Sequence, residues 1–278
     1  MSRVDIRIED IPQTLFDEIA SALQHYVVPI YAISGGTFSP RLWWMGSGTL
    51  VEVAGQRSVL TAAHVWDAIG DADQIGLVLT AFLSAFTIPR DTISVRELRT
   101  RDNAEWGPDL ALLTIPSAFV GRIMAHKSFL NLAQQRVRSA SQRPNPKSLW
   151  AVTGAVSEFS TIAPQPDRRG FEGEFQARAF FSSLHELHER GDYDYIDTTA
   201  KLELPGVPST FGGVSGGGLW ELGGLSLAKS SGKMSWDGAR YFRGVAFWES
   251  APADGLRVIR FHGPRSVFET AWASWGMP

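Results

Sequence analysis

The chain contains no cysteine. Disulfide bonds, thiolate zinc sites, iron–sulfur clusters and cysteine nucleophiles are therefore all excluded. A strong excess of charge is missing as well, because 26 basic against 29 acidic residues leave a formal net charge of −3. A surface so nearly balanced has no electrostatic footprint for nucleic acid or an anionic membrane, and we expect neither as a partner.

The sequence also lacks long hydrophobic runs. Residues 1–20 mix charged with apolar side chains and have no continuous apolar stretch of the secretory type, which predicts a cytoplasmic location. The longest uncharged apolar run, residues 74–89, is shorter than the roughly 20 residues that a membrane helix needs, and it ends in proline. We interpret this run as buried strands.

Helical periodicity is confined to the two ends of the chain. Residues 10–24 predict an amphipathic helix that docks on the main body, with Asp10 as its N-cap and one apolar face formed by Leu15, Phe16, Ile19 and Leu23. Residues 264–275 predict a second helix that packs back on the body, with one face formed by Val267, Phe268, Ala271, Trp272 and Trp275.

Between these helices the sequence has the pattern of an all-β protein. Short apolar, β-branched and aromatic runs are punctuated by glycine and proline, as in sandwiches and barrels. Residues 46–64 (GSGTLVEVAGQRSVLTAAH) predict a hairpin that delivers His64 to the end of a strand. Residues 133–148 are polar, basic and proline-containing, which predicts an exposed connector between two halves. Residues 163–174 and 185–194 predict long surface loops.

The most glycine-rich stretch is FGGVSGGGLW, residues 211–220, which is centred on Ser215. No lysine follows its last glycine, as a phosphate-binding loop of the Walker type would require. The stretch matches the G-x-S-x-G elbow of α/β-hydrolases, whose acid and histidine would be Asp237 and His262. An elbow needs a helix after the serine, however, and SGGGLWELGG is a poor helix start. This esterase alternative is the weaker one.

The opposite chain order of histidine, aspartate and serine is available in better settings. His64 ends SVLTAAH, Asp109 begins DLALLTIP, and Ser215 lies in GGVSGGG. With the preceding GSG strand, these motifs resemble those of the trypsin-like serine peptidases, which have the chymotrypsin fold. The resemblance extends over most of residues 40–265.

This resemblance implies an all-β fold of two antiparallel six-stranded β-barrels of the chymotrypsin type, with an N-terminal helical extension and a C-terminal helix. Residues 1–26 would form the extension, residues 27–140 the first barrel with His64 and Asp109, and residues 141–278 the second barrel with Ser215 and the C-terminal helix.

The resemblance further implies a serine endopeptidase that cleaves a protein or peptide substrate without a cofactor. Ser215 would be the nucleophile, His64 the general base and Asp109 the residue that orients the histidine. The backbone N–H groups of Gly213 and Ser215 would form the oxyanion hole. The resemblance also places three residues at the substrate pocket, namely Ser209, Trp248 and Glu249.

Two positions depart from the family pattern. Many members carry an acidic residue before the nucleophile, which pairs with an N-terminus released by cleavage, whereas this chain has Val214; we therefore do not expect that zymogen switch. Phe247 stands where the family often has a serine beside the triad acid, which removes one hydrogen bond to Asp109.

Two other functions stay open at this point. The chain could be a non-catalytic peptide-binding module on a degraded peptidase fold, and the N-terminal helix could bind a regulatory partner protein. The histidines and glutamate of HELH, residues 185–188, are one position short of H-E-x-x-H, and we expect no metal site there.

Overall fold

The computed structural model describes residues 8–35, 41–80, 86–100, 105–164, 171–174, 177–204, 206–227 and 234–277. These residues are mostly β, which agrees with the predicted all-β class. The described strands of the first half are β1 (Val27–Ser34), β2 (Arg41–Val53), β3 (Gln56–Thr61), β4 (Gln74–Leu77), β5 (Thr87–Pro89), β6 (Ser94–Arg99), β7 (Asp109–Thr114) and β8 (Leu130–Asn131). Those of the second half are β9 (Leu149–Ala155), β10 (Thr161–Pro164), β11 (Phe171–Glu174), β12 (Ala177–Arg190), β13 (Tyr193–Lys201), β14 (Gly218–Leu222), β15 (Leu225–Leu227), β16 (Met234–Trp236), β17 (Arg240–Glu249) and β18 (Leu256–His262).

The first half forms one curled sheet in the order β5-β4-β1-β2-β3-β7-β6, with β8 added beside β2. Its two outermost strands, β5 and β6, are joined in the chain by a single 3-10 turn, Arg90–Thr92, so they lie close at that point. No strand pairing joins them in the described residues. Pro89, the last residue of β5, has no backbone N–H to donate to such a pairing. In its described residues the first half is therefore an open, curled sheet and not the closed six-stranded barrel that we expected.

The second half does close. Six strands pair antiparallel in the ring β12-β13-β18-β17-β14-β9. Two short hairpins, β10-β11 and β15-β16, stand outside the ring. This closed barrel has the strand number and direction that we expected for the second half.

Helices lie near both ends of the chain, at the connection between the halves and within the first half. The α-helices in the described residues are α1 (Gln13–Gln24), α2 (Ala63–Ile69), α3 (Ser117–Met124), α4 (Leu132–Ser141) and α5 (Trp272–Ser274), with a π-helical segment (Ser266–Ala271) before α5 and 3-10 turns at Ile8–Asp10, Arg90–Thr92 and Ser157–Phe159. None of the helices described is long and apolar enough to cross a membrane.

Helix α1 begins three residues later than predicted, and Pro12 rather than Asp10 occupies its N-cap. A residue that precedes proline is disfavoured in the helical region, so Ile11 ends the preceding turn and the helix starts beyond Pro12. The apolar face still packs on the body, because Leu15, Ile19 and Leu23 are buried and Phe16 meets Phe181 edge to face at 4.7 Å.

Three segments that we expected to be irregular are regular where they are described. Residues 163–164 and 171–174 belong to the β10-β11 hairpin, and residues 165–170 lie outside the described residues. The connector at 133–148 contains most of α4, whose first turn is capped by the Asn131 side chain, which accepts a 2.8 Å hydrogen bond from the Gln134 N–H. The loop expected at 185–194 is the far end of the β12-β13 hairpin, with its turn at Gly191. Most side chains at that end are exposed, so its sequence lacks the alternation of a half-buried strand.

Candidate active site

His64 lies where the first sheet turns into a short helix. Strand β3 ends at Thr61, Ala62 remains extended, and α2 begins at Ala63. The following turn buries Val65 and Trp66, which anchors the segment in the core. The His64 side chain itself is 40% exposed, so its outward edge can meet a ligand.

Asp109, the first residue of β7, holds His64 through both carboxylate oxygens. Oδ1 accepts a 2.8 Å hydrogen bond from the His64 backbone N–H, and Oδ2 lies 2.5 Å from His64 Nδ1. Burial raises the pKa of Asp109, but the hydrogen bonds and charge of His64 lower it by more, so the net shift is downward. The pair therefore holds an ionised carboxylate against the Nδ1 edge and leaves Nε2 on the other side of the ring.

His262 supports Asp109 from within the second barrel. Its ring is fully buried at the end of β18, and Nε2 accepts a 3.0 Å hydrogen bond from the Asp109 backbone N–H. Phe247 stacks on this ring at 4.1 Å between centroids. The sequence pattern assigned His262 only to the esterase alternative, because nothing local signals a contact with a residue 153 positions away. Phe247 cannot form a hydrogen bond with Asp109. It packs instead against His262, which does.

The burial of His262 predicts that the protein loses stability in acid. Burial lowers the pKa of His262 to about 3, and the Asp109 carboxylate offsets only part of that effect. An unfolded histidine titrates near 6.5, so between about pH 6.5 and pH 3 the unfolded chain binds a proton that the folded chain does not. The free energy of unfolding should fall over that window by about 1.4 kcal/mol per pH unit from this residue.

We expect His262→Gln, which keeps an acceptor for the Asp109 N–H, to flatten this part of the pH dependence. Urea unfolding at several pH values between 7 and 4 measures it. Parallel stability curves for the variant and the wild-type protein would show that His262 is not buried as a neutral ring.

Ser215 sits in a tight turn that opens into β14. Gly213 and Gly216 have φ values of +91° and +86°, a region in which side chains other than glycine's are strained. The turn is closed by hydrogen bonds from the Val214 N–H to the Phe211 carbonyl (2.9 Å) and from the Gly217 N–H to the Val214 carbonyl (2.7 Å). Ser215 is half-buried at the tip of this turn.

The turn lies against the segment that carries His64. A Cβ placed on Gly46 would be 2.8 Å from the Val65 side chain and 3.0 Å from the Ser215 carbonyl oxygen. The residue after His64 and the backbone of Ser215 therefore approach the same glycine from two sides. His64 thus contacts Asp109 directly. Ser215 lies on one side of Gly46, and Val65, the residue after His64, lies on the other.

The N–H groups of Gly213 and Ser215 are among those of the turn that have no acceptor in the described residues. The preceding carbonyl, that of Gly212, accepts a 2.8 Å hydrogen bond from the Ser157 N–H. Because the C=O and N–H of a trans peptide point in opposite directions, the Gly213 N–H points away from Ser157. These two N–H groups are the ones expected to bind an oxyanion.

A cavity of about 240 Å³ opens beside Ser215. It is smaller than the sites that enclose whole small molecules and fits a single side chain. The surface exposed in it is about half polar, and its lining residues are Phe211, Gly212, Val214, Ser215, Ala246, Phe247, Trp248, Glu249 and Ile259.

Two of the three residues expected at the substrate pocket, Trp248 and Glu249, line this cavity, and Ser209 does not. Ser209 is exposed, and both its N–H (2.9 Å) and its hydroxyl (2.7 Å) bind the carboxylate of Glu158. The Glu249 carboxylate accepts a 3.0 Å hydrogen bond from the Phe211 N–H and lies 2.5 Å from Nη1 of Arg257. The negative charge at the pocket is therefore already paired.

The esterase alternative finds no support in the geometry. Asp237 is exposed in a turn, where its carboxylate accepts a hydrogen bond from the Ala239 N–H, and His262 contacts Asp109 instead. The barrel that contains Ser215 is antiparallel throughout, without the alternating strands and helices of an α/β-hydrolase. In HELH, His188 lies 3.1 Å from Asp197, and the described residues contain no cluster arranged to hold a metal ion.

Comparison with solved structures shows the fold. The crystal structure of the Rv3671c protease from M. tuberculosis, in its active form, is 13% identical in sequence, with a TM-score of 0.50, and the match covers 96% of this chain and 88% of that one. A chain from a structure of the Sesbania mosaic virus VPg protein is 12% identical, with a TM-score of 0.42, and the match covers 88% of this chain and 94% of that one. The second similarity is too weak to bear on the fold.

The chain has a chymotrypsin-like fold. No protein-family model matches the sequence, and no curated protein is significantly similar to it. At 13% identity the structural likeness extends to the architecture and not to the chemistry, so the function must be argued from the side chains.

Proposed function

We propose that the protein is a serine endopeptidase in which residues 27–140 supply His64 and Asp109 and residues 141–278 supply Ser215. The observation that carries the proposal is the double hydrogen bond between Asp109 and His64. An aspartate that bonds both the backbone N–H and Nδ1 of a histidine fixes the tautomer and the orientation of the ring, as the acid of a serine-peptidase triad must.

In the proposed reaction, Ser215 Oγ attacks the carbonyl carbon of a peptide bond while His64 Nε2 takes the hydroxyl proton. The N–H groups of Gly213 and Ser215 bind the oxyanion that forms. His64 then gives the proton to the leaving amine, which departs as the C–N bond breaks. Water repeats the sequence on the acyl-enzyme and releases the second product. Asp109 stays ionised throughout and stabilises the imidazolium.

For the substrate, we propose an uncharged apolar or aromatic side chain on the acyl side of the cleaved bond. Most side chains that line the cavity beside Ser215 are apolar or aromatic, and its one carboxylate, Glu249, is paired with Arg257. A lysine or arginine side chain would have to displace that pair before it could use the charge.

A peptide library tests both parts of this proposal. We expect cleavage by the wild-type protein after apolar or aromatic residues and none by Ser215→Ala. Arg257→Ala frees the Glu249 carboxylate, and cleavage after lysine or arginine should rise by about tenfold relative to cleavage after phenylalanine.

The matched control is the double variant Glu249→Gln/Arg257→Ala, which should not gain basic specificity because it has no carboxylate to offer. Preference of the wild-type protein for basic residues would contradict the proposed pocket, and cleavage that survives in Ser215→Ala would contradict the proposed nucleophile.

A further inference from the structure

Ser47, in the middle of the GSG motif on β2, connects the first half of the chain to the turn that carries Ser215. Its hydroxyl donates a 2.6 Å hydrogen bond to the Gly213 carbonyl and accepts a 2.8 Å hydrogen bond from the Ala155 N–H on β9. Its backbone N–H donates to the Ser215 carbonyl over 2.8 Å. Ser47 therefore binds the carbonyls of both residues that flank Val214, Gly213 and Ser215.

The setting of Ser47 leaves it little freedom. The residue is fully buried, and its own carbonyl accepts a 2.7 Å hydrogen bond from the Thr61 hydroxyl. The flanking glycines permit this closeness, because a Cβ on Gly48 would lie 2.1 Å from the Val59 side chain. With every polar group of Ser47 bonded inside the protein, the position of its hydroxyl is fixed.

The hydrogen bonds of Ser47 bear on the orientation of the proposed oxyanion hole. The Ser157 N–H fixes the peptide between Gly212 and Gly213, and the Ser47 hydroxyl fixes the next one, between Gly213 and Val214. Two successive peptides are thus held by their carbonyls, and the Gly213 N–H, on the far side of the first of them, points away from Ser157. Glycines at 212 and 213 would otherwise let this segment rotate easily.

Because residue 214 is a valine, the turn must be fixed by hydrogen bonds from residues outside it. The Val214 side chain is buried against Gly154 and carries no charge, so it cannot anchor the turn by an ion pair. We propose that the Ser47 hydroxyl is a positioning group: by fixing the peptide between Gly213 and Val214, it prevents the backbone rotation at Gly213 that would turn the Gly213 N–H out of the oxyanion hole. This inference rests on the proposed peptidase function and explains how the site is formed without a released N-terminus.

The test compares Ser47→Ala with Thr153→Val. Thr153 lies on β9 near Ala155, and its buried hydroxyl accepts a 3.0 Å hydrogen bond from the Trp220 indole N–H, so both variants lose one buried hydroxyl. In Ser47→Ala we expect the rate of labelling by a fluorophosphonate to fall by about 10- to 100-fold per folded molecule. The kcat for a cleaved peptide should fall similarly with little change in KM, because the lost interaction acts in the transition state.

Thr153→Val should lose stability without this loss of rate. Ser47→Cys, which keeps a weak donor of similar size, should label at an intermediate rate. Wild-type labelling rates in Ser47→Ala, or an equal loss of rate in Thr153→Val, would overturn the positioning role.

Hydrogen exchange separates this inference from the proposed function. If the wild-type protein is not labelled at all, the peptidase proposal fails, and exchange in residues 211–217 decides the role of Ser47 alone. Exchange in residues 211–217 that is faster in Ser47→Ala than in Thr153→Val, with unchanged protection in β13, would show that the Ser47 hydroxyl stabilises the turn. Equal exchange in the two variants would overturn it.

Discussion

Replacing Asp109 by asparagine is expected to lower kcat by about 10⁴-fold without unfolding the protein. Both carboxylate oxygens accept hydrogen bonds from His64, one from the backbone N–H and one from Nδ1. Asparagine has only one acceptor oxygen, so its NH₂ group must face one of these two positions. If it faces the ring, the proton moves to Nε2, and a protonated Nε2 cannot take the proton of Ser215.

The change is measured as the rate of fluorophosphonate labelling and as kcat on a peptide that the wild-type protein cleaves. Glu105→Gln is the matched control, because it makes the same chemical change four residues earlier, on a half-exposed side chain that bonds Arg260. We expect Glu105→Gln to stay within about twofold of the wild-type rate. An Asp109→Asn variant that keeps more than about a tenth of the activity would contradict the proposed role.

Replacing Arg243 by alanine is expected to reduce the free energy of unfolding by about 3–5 kcal/mol. Arg243 is fully buried on β17, where Nε donates a 2.7 Å hydrogen bond to Glu221 and Nη1 donates a 2.9 Å hydrogen bond to the Gln142 carbonyl. Glu221 is also buried and accepts a hydrogen bond from the Ser148 hydroxyl. Removing the arginine leaves this carboxylate without its counter-charge inside the protein.

Denaturant unfolding measures this loss, and a double variant separates the lost charge from the lost packing. In Arg243→Met/Glu221→Leu neither charge is left alone, so the loss should be smaller than in Arg243→Ala. A single variant within about 1 kcal/mol of the wild-type protein, or a double variant that is less stable than the single one, would contradict this account.

Some of this architecture could be predicted from local sequence. The apolar spacing of Leu15, Ile19 and Leu23 gave the face on which α1 packs, and all three are buried. The LVEV and SVLT runs gave the β2-β3 hairpin, which leads to His64. In both cases the pattern repeats within one element, so that the residues which share a face are only a few positions apart.

Other features depend on contacts that no local pattern records. Closure of the first sheet depended on whether β5 could pair at its outer edge, and Pro89 removes one donor there. Residues 133–141 are helical because α4 begins at Leu132, whose side chain is buried in the core. His262 and Ser47 were missed as parts of the site, because their partners lie 153 and 166 residues away in the chain.

The family pattern itself indicated His64 and Asp109, because His64 closely follows an apolar strand and Asp109 begins one, each in a motif that can be recognised. It did not indicate what takes the place of two family residues that this chain lacks, the serine beside the triad acid and the acid before the nucleophile. Where the family has a serine, Phe247 stacks on His262, and where it has an acid, Val214 is flanked by carbonyls that Ser47 binds. These substitutes come from strands far apart in sequence.

The central claim is that Ser215 reacts through His64, and mapping a fluorophosphonate adduct by mass spectrometry tests it most directly. His262 cannot separate the two candidate triads, because it contacts Asp109, whereas Asp237 is exposed and belongs only to the esterase alternative. We predict one adduct on Ser215 that is lost in His64→Ala and retained in Asp237→Asn. No adduct on the wild-type protein, as expected of a peptide-binding module, or an adduct retained in His64→Ala and lost in Asp237→Asn, would contradict the claim.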